Sequence, residues 1–362
     1  MTTRREFIKD AAGVAAGIVF TGCNLLGAPQ ARAQARPSGK RREVVVAGRR
    51  AKVIDVHAHC NIPEAHALLG ISPLSPIGPG MDDVGQRRIG EMDHDGIDME
   101  VLSINPAWYR AERDVVTKVI KIQNEKLAEF CAKYPDRFAA FASLALQFPD
   151  LAVQQLEEGM KKLGLRGAAI GGSVAGTDFS DPKFHPVWAK AEELGAVLFI
   201  HPQSTPPLAG RFKGNGWLSN TIGNPLDTTI ALEKLIFEGT LDRYPGLKII
   251  AAHGGGFLPS YAPRMDHTCR VNPAECNPNI VLKKKPTEYL RSLYFDSLVF
   301  TSEALRHIIA EVGVSQIVVG TDHPIPWNLH AVDHVLNTTG LSDSEKVAIL
   351  GGNAAKLLGI KN

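Results

Sequence analysis

Two histidines one residue apart, His57 and His59, close an apolar run of strand character at residues 52–59, KVIDVHAH. In an extended strand residues i and i+2 share a face, so the two imidazoles can converge on one cation. Imidazole is also the side chain that most readily carries a proton near neutral pH. Alone, the pair reads more readily as a hydrogen-bonded core feature. Three further apolar runs, however, end in the same way, at His201, His253 and Asp322. Five groups able to bind a metal or move a proton would then act together, provided one fold gathers the ends of those runs at one place.

The elements that could do this are legible in the pattern. Apolar runs of strand length occupy residues 53–59, 99–105, 138–146, 167–171, 197–201, 248–253, 293–298 and 317–322. Between them, residues 112–133, 151–163, 186–194, 226–241, 302–312 and 344–358 carry apolar side chains at spacings of three and four, the mark of helices packed by one face. Eight strands alternating with helices predict an α/β fold of the (β/α)8 TIM-barrel class, whose strand C-termini converge on one face. A doubly wound sheet is disfavoured, because His57-Ala58-His59 stands where a glycine-rich phosphate loop would follow the first strand. Residues 61–80 and 203–224 are longer than a connection requires and are candidate walls or lids over that face.

The motifs VIDVHAH, FIHP, AAHGGG and VGTDHP resemble the successive motifs of the amidohydrolase superfamily, in particular the amidohydrolase-2 branch of metal-dependent decarboxylases typified by aminocarboxymuconate-semialdehyde decarboxylase. The similarity runs from about Lys52 to the C-terminus and includes Asp181-Pro182, Arg264, Phe295-Asp296-Ser297 and Gly352-Asn353-Ala354. The resemblance implies a barrel of the metal-dependent hydrolase type. It implies one divalent ion, zinc or alternatively manganese, on His57, His59, His201 and Asp322, with His253 as the acid-base residue. Residues 167–172 (GAAIGG) lack the lysine that bridges two metals in binuclear members, which favours a single ion and decarboxylation over binuclear hydrolysis.

The resemblance further implies a carbon-carbon lyase acting on a small aromatic or unsaturated carboxylic acid. The proton that replaces carbon dioxide would come from Asp322, or from water beside the metal activated by His253; both routes stay open. Arg211, Lys213 and Trp217 resemble the basic-aromatic segment that holds an anion and a ring. Arg264, and with it Arg270, would lie near the interface of a homodimer. Residues 61–80 contain neither arginine nor lysine, whereas the best-known decarboxylase of the branch has an arginine there. The particular substrate therefore does not carry over. A hydrolase of a lactone, ester or amide is the enzymatic alternative. A periplasmic solute-binding protein without turnover is the other, against which His253 and Asp322 stand.

The formal net charge of +2, from 40 Lys+Arg and 38 Asp+Glu, gives no electrostatic footprint for nucleic acid. Residues 3–9 (TRREFIK), an apolar run over 11–20 and Ala31-Arg32-Ala33 resemble, in that order, a twin-arginine export signal of residues 1–33. Export through that machinery to the periplasm or beyond is expected, with acylation at Cys23 as the lesser alternative. Residues 34–51 read as a linker that could carry a short hairpin, and 52–362 as a single barrel domain. Four cysteines would remain after cleavage; Cys269 and Cys276 could pair, or both stay as thiols.

Overall fold

The computed structural model describes residues 40–71, 80–203, 205–276, 278–325, 327 and 330–361. The expected export signal and Cys23 lie outside the described residues. Among the described residues, no helix is long and apolar enough to cross a membrane.

Eight parallel strands form the centre: β1 (Ile54–His59), β2 (Met99–Ser103), β3 (Phe138–Ala140), β4 (Gly167–Ile170), β5 (Val197–Ile200), β6 (Lys248–Ala251), β7 (Tyr294–Asp296) and β8 (Ile317–Val318). β1 to β3 pair in order, as do β4 to β8. Short bridges close the ring. Ala142 N–H donates to the Gly167 carbonyl (2.8 Å) between β3 and β4, and Val56 N–H donates to the Val319 carbonyl (2.9 Å) between β1 and β8. The paired segments are shorter than the apolar runs, because burial continues past the last ladder bond, as over residues 141–146.

A helix follows each strand: α1 (Gln86–Asp95), α2 (Arg113–Lys133), α3 (Pro149–Lys161), α4 (His185–Leu194), α5 (Asn224–Phe237), α6 (Leu258–Val271), α7 (Ser302–Val312) and α8 (Asn353–Leu358). Their boundaries follow local chemistry. At the start of α7 the Thr301 hydroxyl accepts the Ala304 N–H (3.2 Å), and α4 stops at Gly195 in the left-handed region. The single helix expected over 344–358 is interrupted by a wide turn at Ala348–Gly352, where a side chain at Gly351 would lie 2.2 Å from the Lys52 carbonyl oxygen.

Strand alternation sorts the core into two clusters. Outward side chains such as Leu102, Ala168, Ile170, Leu198, Ile200 and Ile249 pack under the helices. Inward side chains Ile54, Val56, Met99, Val101, Ala169, Val197, Phe199, Ile250 and Val318 meet one another and Ala354, Ala355, Leu357 and Leu358 of α8. The C-terminal helix thereby plugs the N-terminal end of the barrel. Where a linker was expected up to residue 51, the described part is packed on the barrel instead. Val45–Val46 pairs with Arg49–Arg50 in a hairpin whose turn, Ala47-Gly48, has both φ angles positive. Val44 and Val46 are buried, Arg41 and Arg50 pair with Asp98, and Arg42 pairs with Asp333.

Candidate metal centre and active site

The C-terminal ends of β1, β5 and β8 bring His57, His59, His201 and Asp322 together, with their ligand atoms within 4.8 Å of one another and all four residues buried. His201 and Asp322 reach the interior by plain alternation, in register with Val197 and Phe199 and with Val318. The β1 pair does not. Ile54 and Val56 already face inward, so uninterrupted alternation would turn His57 and His59 toward the helices. A register shift between Asp55 and Ala58 against β2 inserts one extra residue, and this bulge turns both histidines inward. His253 likewise follows inward-facing Ile250 and Ala252 out of phase; its φ of +56° re-aims it. Asp322 also has positive φ, +63°.

Each imidazole of the first strand is oriented from behind. His57 Nδ1–H donates to Asp296 Oδ2 (2.6 Å), which turns Nε2 toward His59 and Asp322. His59 Nδ1–H donates to Ser103 Oγ (2.9 Å), whose own proton goes to the Ala58 carbonyl (3.1 Å). The two Nε2 atoms face each other at 3.1 Å, and Asp322 Oδ1 lies 3.2 Å and 2.8 Å from them. His201 Nε2 is 3.9 Å from the same oxygen, and neither ring nitrogen of His201 has a hydrogen-bond partner among the described residues. Two ring nitrogens and a carboxylate oxygen held this close, beside a buried imidazole without a partner, form a cluster that a cation would satisfy. The donor set of three imidazoles and one carboxylate fits a catalytic divalent ion with an open position.

The electrostatics agree. Burial drives Asp322 toward its neutral form, but the histidines around it outweigh this and hold its carboxyl well below the usual range. Burial likewise disfavours the His57 imidazolium, yet the carboxylates of Asp322 and Asp296 push it up to about 10. His59 and His201 are driven down, chiefly by burial. Two carboxylates that demand positive charge beside two imidazoles kept neutral are the profile of a cation site.

His253 stands at the rim, 17% exposed, with Nε2 at 3.8 Å from Asp322 Oδ2. Its backbone N–H donates to Asp296 Oδ2 (3.0 Å), and the Gly254 N–H to Asp296 Oδ1 (2.8 Å). Gly254 to Gly256 all have positive φ, and a side chain at Gly256 would lie 2.1 Å from the Pro225 carbonyl oxygen. Asp296 thus ties His57 to the His253 turn, and the sequence reading noted it only as part of a family motif. An aspartate at an inward position of the apolar strand β7, opposite Gly320 whose missing side chain makes room for it, was the available signal.

The expected substrate residues lie on the loop after β5 and on α6. Arg211, Lys213 and Trp217 are exposed on the connection after β5, where the Trp217 ring packs against Trp327 with centroids 5.4 Å apart. Trp327 follows β8, so this contact joins two loops from separated places on the barrel mouth. Arg264 lies on α6 and lines a cavity of about 660 Å³ against α5, away from the four ligands within this chain. Arg270 pairs with His267 on the same helix. Cys269 and Cys276 are disulfide-bonded, and Cys60 and Cys131 are free.

Comparison with known proteins agrees with this architecture. Residues 54–360 match the amidohydrolase family. The 2-amino-3-carboxymuconate-6-semialdehyde decarboxylase of Dictyostelium discoideum is 32% identical over 277 residues, 75% of this chain and 76% of that protein. The structure of 5-carboxyvanillate decarboxylase from Sphingomonas paucimobilis superposes with a TM-score of 0.79 at 27% identity, covering 86% of this chain and 100% of the other. A dihydroxybenzoic acid decarboxylase from Polaromonas sp. JS666, solved with manganese and the inhibitor 2-nitroresorcinol, gives 0.76 at 28% identity, covering 86% and 98%. A match that takes in every barrel strand and each of the converging side chains leaves one assignment: the chain belongs to the amidohydrolase family.

Proposed function

We propose that this protein is a single-metal carboxy-lyase that removes carbon dioxide from a small aromatic or unsaturated carboxylic acid. The observation that carries the reading is the convergence of His57, His59, His201 and Asp322 on one point with His253 beside it, while β4 offers no lysine for a second ion. Similarity to three decarboxylases supports it.

The four ligands would hold one divalent ion, which supplies Lewis-acid charge for the substrate's carboxylate or a neighbouring oxygen. The protein's own groups do the rest. In decarboxylation the bond from ring or chain carbon to the carboxyl carbon breaks, carbon dioxide leaves, and the electron pair left on that carbon must take a proton. His253 is placed to deliver it from the rim, with Nε2 3.8 Å from Asp322 Oδ2. Asp296 fixes the turn that carries His253, so the imidazole is aimed before substrate arrives. Burial of the cluster keeps bulk water from quenching the charge that develops. Asp322 would be one of the residues that hold the ion, and its Oδ2, 3.8 Å from His253 Nε2, keeps it available as the second participant in proton transfer.

Arg211, Lys213 and Trp217 would hold the acid and its ring from the loop after β5. Arg264 would serve at the interface of a homodimer, with Arg270 near it. Zinc is the proposed ion, with manganese the alternative that the manganese-bound relative supports. Residues 1–33 would be a twin-arginine export signal that delivers the folded domain of residues 52–362 to the periplasm or beyond. The Cys269–Cys276 bridge suits such an oxidising compartment. The test is elemental analysis of the purified protein together with a screen of aromatic and unsaturated carboxylic acids for carbon dioxide release. A metal-replete preparation that releases none, yet liberates acid from lactones, esters or amides, would replace the lyase by a hydrolase.

A further inference from the structure

On the outer side of the β1, β2 and β8 ends, beneath α1, lies a second polar cluster that does not touch the ion site's ligand atoms. Arg88 on α1 is 1% exposed; its Nε donates to Glu100 Oε2 (2.5 Å) and its Nη1 to the His59 carbonyl (2.8 Å). Glu100 on β2, also 1% exposed, places Oε1 3.2 Å from His323 Nδ1. His323 Nε2 lies 3.1 Å from Glu91 Oε2 on α1, and Arg87 Nε donates to the other oxygen of Glu91 (3.2 Å). The row therefore runs from the carbonyl of one ligand, His59, to the residue that follows another, Asp322.

Main-chain bonds reinforce the link. His59 N–H donates to the His323 carbonyl (2.7 Å), and Asp322 N–H donates to the His57 carbonyl (2.8 Å). Arg88 and Glu100, buried, and Glu91 and His323, half-buried, stand where apolar packing would serve and are a weak source of stability, since desolvation offsets most of their attraction. What they supply is fixed geometry between strands that are otherwise joined by only a few bonds and must hold Asp322 at a positive φ.

We infer that Arg88, Glu100, His323 and Glu91 form a positioning network that sets the spacing between His59 and Asp322 and so the affinity of the site for its ion. The inference rests on the metal reading above. Its test is the dissociation constant for Zn2+ and for Mn2+, measured by chelator competition at fixed pH on the wild type and on Glu91→Gln, His323→Gln and Glu100→Gln. Alongside it run thermal unfolding of the metal-free proteins and a separate measurement of kcat and KM. Loss of a group that orients a ligand costs roughly 10- to 100-fold in metal affinity, and that loss is expected in Glu91→Gln and His323→Gln with metal-free unfolding little changed. Excess metal should restore most of kcat. Arg87→Ala, at the outer end of the row, should leave affinity within about twofold, because a half-buried pair still open to solvent contributes little. Should Glu100→Gln fail to fold because Arg88 is left unpaired, the other two variants carry the test. Wild-type affinity in both, whatever their unfolding temperatures, overturns the network; a wild type that binds neither ion overturns the metal reading itself.

Discussion

At the floor of the barrel Ile54, Met99, Ala139, Val197, Leu357 and Leu358 meet with no polar side chain among them, whereas at the C-terminal ends of β1, β5, β7 and β8 the interior holds His57, His59, His201, Asp296 and Asp322. Both ends are buried and both are made by the same strands. The floor obeys alternation, and the positive φ at its β4 start falls on a glycine, Gly167. The mouth contains a bulge in β1 and positive φ at His253 and Asp322. The difference teaches where each end derives its purpose: the floor is arranged for packing, and the mouth departs from regular geometry where alternation alone would turn His57, His59 and His253 away.

Substitutions at the two ends should therefore separate function from stability. The largest effect is expected at the ligands: His57→Ala should lose the ion and activity together, seen as metal content near zero and turnover at background. His253→Ala should keep its ion and lose activity by about 10²- to 10⁴-fold, the usual contribution of a positioned acid or base; the opposite pattern would sink the assigned roles. Asp296→Asn comes next, because the amide keeps the shape but not the charge behind His57. A fall of roughly 10- to 100-fold in metal affinity or turnover is expected, and wild-type values in both would remove Asp296 from the site's machinery. At the floor, Leu358→Ala should lower unfolding free energy by about 2–5 kcal/mol while kcat stays unchanged at temperatures where the protein is folded.

The smallest effect belongs to Asp227 on α5, which accepts the Gln203 N–H at the start of the loop after β5 (2.9 Å) and whose carboxyl is raised by burial to about 6. A carboxyl with a raised folded-state pKa favours the fold below its ordinary value, near pH 4, and that contribution is lost as pH rises through about 6. The unfolding midpoint of Asp227→Asn should thus gain on the wild type between pH 4 and 7. Parallel curves would show that Asp227 does not titrate in this range.

The eight strands were legible because apolar runs of strand length have no other way to be buried, and His201 and Asp322 because they continue the inward phase of their strands. His57 and His253 were legible only as residue types. Local alternation assigns them outward, and what turns them in is a one-residue register shift and a left-handed backbone, neither of which has a local sequence mark beyond the glycines after His253. Asp296 was visible as a motif and not as a role, since its meaning lies in contacts with His57 and Gly254 from distant strands. His323 had no role in the sequence pattern, and its meaning lies in a charged row that residues on α1 and β2 complete. The hairpin before β1 looked like a linker because its arginines find partners, Asp98 and Asp333, far along the chain.

The helix α8 that seals the floor turns the barrel into a vessel with one opening. For a decarboxylase this has a consequence for traffic: the acid must enter, and both carbon dioxide and the remaining ring or chain must depart, by the same doorway. A bulky product waiting there blocks the next molecule. The contact between Trp217 and Trp327 joins two loops at that doorway, and a variant that separates the two rings is expected to change how fast product leaves while the four ligands stay as they are.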